Sequence, residues 1–164
     1  MRHSREKGLT ILELLIVMGI IAVLAGMAIA NYFSALTRAK QKRTVSDIRT
    51  IALAWEARAA ETHSYVAAGY TFPGDHMVTY ASLQRLLVPA YAKTLPQVDG
   101  WGRPLQFAAT ADATGQPGSY AIRSGGRDGV YDATYANGAT NDPDCDIVYS
   151  DGNFVAYPDV VQTH

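Results

Sequence analysis

From Leu9 to Phe33 the chain reads LTILELLIVMGIIAVLAGMAIANYF, a run of 25 residues carrying one charge, Glu13. As a helix rising about 1.5 Å per residue it spans roughly 37 Å, enough to cross a hydrocarbon core of about 30 Å. The eight residues before it, MRHSREKG, are polar and basic through Arg2, Arg5 and Lys7. A basic flank of this kind stays on the cytoplasmic side, which places everything after Phe33 across the membrane. A cleaved secretory signal would have a shorter apolar stretch followed by a small-x-small site, and Ala28 and Ala30 offer such a spacing. A plain signal anchor would explain the length of the run but not Glu13. A carboxylate costs about 2.5 kcal/mol or more toward the bilayer centre, so an acid kept in such a segment points to function.

The remaining sequence is laid out unevenly. Residues 14 to 37 carry no charge, and residues 38 to 49 carry five Lys or Arg against Asp47 alone. After Arg127 there is no Lys or Arg, yet seven Asp follow. The basic cluster Arg38–Arg43 reads as a solvated collar near lipid headgroups. The net charge of -1 offers no global basic field, so nucleic acid is not an expected partner. Cys145 is the single cysteine, which excludes an intrachain disulfide and a thiol-built zinc site.

Helical spacing continues past the apolar run. Val45, Ile48, Ile51, Ala52, Trp55 and Ala59 recur every three or four residues and form one stripe. No Pro occurs between Met1 and Phe72. One helix from about Leu9 to Glu61 would be roughly 80 Å long. Residues 64 to 79 read as loop, rich in Gly, Tyr and Pro. Tyr80–Ala92 reads as a short helix, with Ser82 as its cap and Pro89 near its end. Leu105–Ala109 and Tyr120–Arg123 read as strands. Asp146–Tyr149 and Asn153–Tyr157 flank Ser150-Asp151-Gly152, a hairpin signal. Three or four antiparallel strands must bury their apolar face against something, and the Val45–Trp55 stripe is available. The expected class is therefore α+β: a long N-terminal helix, membrane-spanning and spine-like, packed on a small antiparallel sheet. The domains are 1–8 as a leader, 9–62 as helix (9–33 transmembrane, 34–62 amphipathic) and 63–164 as a globular domain containing an acidic loop at 124–146.

The junction Gly8-Leu9-Thr10-Ile11-Leu12-Glu13 resembles the leader junction of type IV pilins and type II secretion pseudopilins. That resemblance implies cleavage by a prepilin peptidase between Gly8 and Leu9, and methylation of the new Leu9 amine. It also implies pairing of that amine with Glu13 of a neighbouring subunit. Two costly charges in an apolar filament core would then select one axial register. The family usually has Phe where Leu9 stands, and many pilins have Pro at the position of Ala30. Gly19 and Gly26 allow close approach between helices in lipid.

Asp99-Gly100-Trp101-Gly102-Arg103-Pro104 and the segment YAIRSGGRDG (Tyr120–Gly129) narrow the resemblance to the major pseudopilin of type II secretion systems. It implies a homopolymer that works with minor pseudopilins, an inner-membrane assembly platform and its cytoplasmic ATPase, in contact with membrane lipid. The filament would push folded proteins from the periplasm through an outer-membrane channel. A type IV pilus subunit, forming a surface fibre for adhesion, motility or DNA uptake, is the second reading. A membrane-anchored calcium-binding domain that never polymerises is the third.

Between Asp128 and Asp146 lie five Asp with Ser, Asn and Gly. Crowded loop carboxylates repel unless solvated or bridged, and calcium takes six to eight oxygen ligands from such turns. The spacing does not fit an EF-hand. The resemblance implies a calcium site in this loop, with Ser124, Asp128, Asp144 and Asp146 as ligands and Asp142 as a further candidate. Residues Val130–Asn141 stand as an insertion relative to the family loop. Phosphate-loop, nucleophile-elbow and zinc-protease motifs are absent. His3, His63, His76 and His164 share no ligand spacing, and Trp55 and Trp101 read as core. No acid/base pair or activated nucleophile is recognisable, so the chain reads as a non-enzyme.

Overall fold

The computed structural model describes residues 9–62, 77–109, 119–134 and 137–159. The leader, Gly8, the four histidines and most of the loop expected over 64–79 lie outside the described residues. Helix α1 runs Ile11–Thr62. It is followed by strand β1 (Met77–Val78), helix α2 (Tyr80–Leu87) and strand β2 (Gln106–Ala109). Strands β3 (Tyr120–Ser124), β4 (Gly138–Thr140), β5 (Ile147–Ser150) and β6 (Asn153–Pro158) complete the order.

Internal contacts divide the chain after Leu36. The first unit is the apolar part of α1, and its side chains are bare: Leu9 is 79% exposed and Ile11 85%. This helix is long and apolar enough to cross a membrane by length and composition. A shallow apolar notch lies between Ile16, Gly19, Ile20, Val23 and Leu24.

The second unit begins at Thr37 and contains the rest of α1. Its core is the stripe read from the sequence: Val45, Ile48, Ile51, Ala52, Trp55 and Ala59 are all buried. All but Ala59 share one apolar cluster with Leu83 and Leu87 of α2 and with Phe107, Tyr120, Ile122, Ile147 and Tyr149 of the sheet. The Trp55 and Tyr120 rings lie 5.0 Å apart. Beside them Glu56 Oε1 accepts hydrogen bonds from the Tyr120 and Tyr149 hydroxyls. Burial, then this carboxylate, raises the pKa of both phenols, so both stay neutral donors.

The sheet is larger than the sequence pattern suggested. It has six strands in the order β1-β2-β3-β5-β6-β4. Neighbours are antiparallel except β4 and β6, which are parallel. The two unexpected strands are very short and sit at the edges, where two or three residues carry too little alternation to register as a pattern. β1 takes residues expected as loop, and β4 comes from the Val130–Asn141 segment expected only as an insertion. The β5–β6 hairpin matches expectation. Its two-residue turn, Asp151-Gly152, has positive φ at both positions, which suits the twist of antiparallel strands.

Helix α2 departs in two ways from its expected span and cap. The cap is Thr79, whose side chain accepts a hydrogen bond from the Ser82 amide at 3.2 Å; Ser82 lies inside the helix. The helix ends at Leu87 because Pro89 disfavours helical geometry at Val88.

The turn at Asp99–Arg103 locks onto α1. Gly100 donates its amide to Thr44 Oγ1 at 2.9 Å, and a Cβ on Gly100 would overlap the Lys40 carbonyl. Only glycine permits that approach. Gly100→Ala is therefore expected to lower the thermal midpoint by on the order of 5 °C through overpacking. Circular dichroism melts check this, and an unchanged midpoint would mean that the turn can withdraw from the helix without loss.

Candidate functional site

Two clusters carry the chemistry. At the start of α1, Thr10 and Glu13 form a reciprocal capping box. Glu13 Oε2 accepts from the Thr10 amide and the Thr10 hydroxyl, each at 2.8 Å, and the Glu13 amide donates to Thr10 Oγ1 at 3.2 Å. The threonine-to-glutamate spacing signalled this box in the sequence, and reading Glu13 only as a partner for another subunit missed it. Its acid is thus held by its own chain at the helix terminus, where the aligned backbone dipoles favour negative charge.

The second cluster joins the loop after β3 to the turn before β5. Asp99, 1% exposed, organises one side. Its Oδ1 accepts from the amides of Trp101 and Arg103, each at 2.9 Å, and its Oδ2 accepts from Ser124 Oγ at 2.7 Å. Arg103 Nη1 donates to the Asp128 carbonyl. The two loop segments touch backbone to backbone: the Arg127 amide donates to the Pro143 carbonyl at 2.9 Å. Gly126 has φ of 63° and leaves no room for a Cβ beside the carbonyls of Asp144 and Cys145.

Arginines meet the aspartates here. Arg127 grips Asp144 with two hydrogen bonds, Nε to Oδ1 at 2.7 Å and Nη2 to Oδ2 at 2.5 Å, in a partly exposed fork. Arg123 is 1% exposed, and by strand alternation lies on the face of β3 opposite Tyr120 and Ile122. Its Nε donates to Asp146 Oδ2 at 2.7 Å, and its Nη2 donates to the same oxygen and to the Asp132 carbonyl. The Asp132 amide donates to Asp146 Oδ2 at 3.1 Å, and the Tyr131 ring covers the guanidinium at 5.4 Å.

Comparison with known proteins gives these clusters a context. Residues 3–29 match the family described as "Prokaryotic N-terminal methylation motif". The type II secretion system core protein G of Klebsiella michiganensis is 28% identical over 139 residues, covering 79% of this chain and 89% of that protein. The protein of the same name from Aeromonas hydrophila is 29% identical over 131 residues, covering 79% and 88%. That from Pseudomonas aeruginosa is 26% identical over 153 residues, covering 88% and 96%. Over most of its length the chain is thus similar to type II secretion core protein G, and its N-terminus carries the methylation motif. No solved structure gives a significant match.

In this chain Leu9 and Glu13 stand at the start of the apolar helix, and Gly8 lies outside the described residues. Ser124, Asp128, Asp142, Asp144 and Asp146 do come from one loop region, but they do not turn their oxygens to one point. Among the described residues no three His, Cys, Asp or Glu side chains are grouped to hold a metal ion. Ser124 faces Asp99, and Asp128 Oδ1 accepts from the Val130 amide at 2.9 Å. Asp142 Oδ1 accepts from the Asp144 amide at 3.0 Å. Asp144 and Asp146 are bound by arginines. As arranged, the set does not fit a calcium ion. Arg123 and Arg127 were in plain view within YAIRSGGRDG, but an arginine's carboxylate partner 17 or 23 residues away leaves no local signature.

The Arg127 hydrogen bonds hold the Asp144 carboxyl below the usual carboxylate range. A depressed carboxylate stabilises the fold above its unfolded value of about 3.9, and that contribution is lost as pH falls through the folded value. The stability gap between the wild type and Arg127→Gln is therefore expected to be open at pH 7 and to narrow as the pH falls below about 3.9. Thermal melts across that range check it, and a gap that stays constant would show that the pair contributes nothing.

Proposed function

We propose that this chain is the repeating structural subunit of a type II secretion pseudopilus. The observation that carries the reading is that each of the type II secretion core proteins G named above aligns with at least 79% of the chain. The methylation motif at residues 3–29 supports the same reading. A peptidase on the cytoplasmic side cuts after Gly8, and the Leu9 amine is methylated. The domain from Thr37 onward lies in the periplasm on a single membrane pass. An inner-membrane platform driven by a cytoplasmic ATPase then extracts subunits into the filament, with minor pseudopilins as further partners.

The physical logic lies in the two units. In a single subunit the bare Leu9–Phe33 surface is tolerated by lipid; in a filament other copies of the same helix replace the lipid. The Leu9 amine freed by cleavage bears a positive charge that an apolar core penalises unless it is paired. Glu13 supplies the counter-charge, and the Thr10 box fixes where its carboxylate stands. A box satisfied within each chain means that the neighbour's amine joins an already ordered carboxylate.

Glu13→Ala is expected to leave cleavage after Gly8 intact and to abolish filaments. Mass spectrometry of the mature N-terminus and electron microscopy of sheared cells check both arms. Wild-type filaments from Glu13→Ala, or a mature chain beginning elsewhere than methylated Leu9, would overturn the proposal.

A further inference from the structure

We propose that in this chain arginine–aspartate pairs close the loop between β3 and β5 in place of a divalent cation, so that the domain folds without calcium. Five aspartates between Asp128 and Asp146 create a demand for positive charge. Three arginines meet it from fixed positions. Arg123 reaches Asp146 and the Asp132 carbonyl from within β3, Arg127 forks onto Asp144, and Arg103 holds the Asp128 carbonyl from the Asp99 turn.

The carboxylates best placed for a cation, Asp144 and Asp146, are already engaged by arginines. Asp146 Oδ2 takes the Arg123 Nε, the Arg123 Nη2 and the Asp132 amide. Both oxygens of Asp144 take Arg127. Ser124 gives its proton to Asp99 rather than a lone pair to an ion. Asp146 Oδ1 is buried without a hydrogen-bond partner, but among the described residues no three acidic side chains gather around one point, whereas calcium takes six to eight oxygens. The guanidinium groups of Arg123 and Arg127 beside these carboxylates would also repel an incoming dication.

The geometry further explains why the latch holds. Arg123 is nearly fully buried, its aspartate is 0% exposed, and the Tyr131 ring closes over the guanidinium. Tyr131 is itself fixed, its hydroxyl donating to the Pro104 carbonyl at 2.7 Å. The inserted segment thus brings the lid of the latch, Tyr131 and Asp132, along with β4. The protein has replaced a diffusible ligand by groups that are part of the chain, and its loop order is set by folding alone.

The test uses the full-length mature chain in detergent, melted with about 5 mM calcium or with excess chelator; this concentration exceeds the roughly 10⁻³ M upper range of extracellular calcium modules. The expected result is midpoints equal within about 1 °C in the two buffers for the wild type. Arg123→Met is expected to lower the midpoint by about 10 °C in both buffers, because it strands a buried aspartate. Arg127→Gln, whose exposed pair is dispensable for folding, is expected to speed proteolytic nicking of residues 125–146 equally with calcium and with chelator. A calcium-dependent rise of several degrees that Asp146→Asn removes would overturn the proposal. So would equal wild-type midpoints with Arg123→Met and Arg127→Gln both indistinguishable from wild type. If Arg123→Met fails to fold, the wild-type comparison and Arg127→Gln still decide.

Discussion

The burial of one helix face against the sheet is the contact on which the rest of the domain depends. Strands of two to six residues cannot stand as an isolated layer, because a sheet with one bare apolar face gains too little from its ladder bonds. The stripe from Val45 to Ala59 supplies the missing layer, and Trp55 meets the Tyr120 ring across it. Glu56 adds a polar tie within that apolar contact, accepting from two buried phenols at once. The helix and the sheet domain are therefore one core, and α1 belongs to the fold from Thr37 onward.

The same helix answers to two solvents. Up to Leu36 its large apolar side chains are exposed, whereas the later stripe is closed by the sheet. One secondary structure spans both because no proline interrupts it and because every backbone group in lipid must be satisfied within the segment. Glu13 is the exception to the apolar rule. Its capping box shows how a charged group can serve a local need, starting a helix cleanly, while leaving the carboxylate open to the pairing proposed above. The two roles are compatible because a carboxylate has more acceptor sites than the Thr10 donors use.

The acidic loop concentrates charge that the fold sets against arginines. Five aspartates in one loop resemble a cation site in sequence, and charge can also be balanced from any direction in three dimensions. Here the balance comes from the adjacent strand and from the loop itself. The Asp99 turn links the two halves of the arrangement: it rests on Thr44 of α1 through Gly100 and reaches Ser124 of β3 through its carboxylate. A disturbance of the loop would thus be felt at the helix through a single buried aspartate.

Much of this protein was legible in its sequence because the signals were periodic or local. The apolar run, the Val45–Ala59 stripe, the Asp151-Gly152 hairpin and the strands around Phe107 and Ile122 all follow from spacing, which backbone geometry converts directly into faces and turns. The family resemblance likewise rested on contiguous residues at the leader and the Trp101 turn. What the sequence left undecided depended on partners distant along the chain. The edge strands β1 and β4 exist only because β2 and β6 offer unsatisfied ladder groups, with no pattern of their own to announce them. The fate of the aspartates was settled by whether Arg123 and Arg127 came within reach, and strand register, not residue type, determines that. Local spacing fixes which elements form; only the tertiary contacts decide which charges meet.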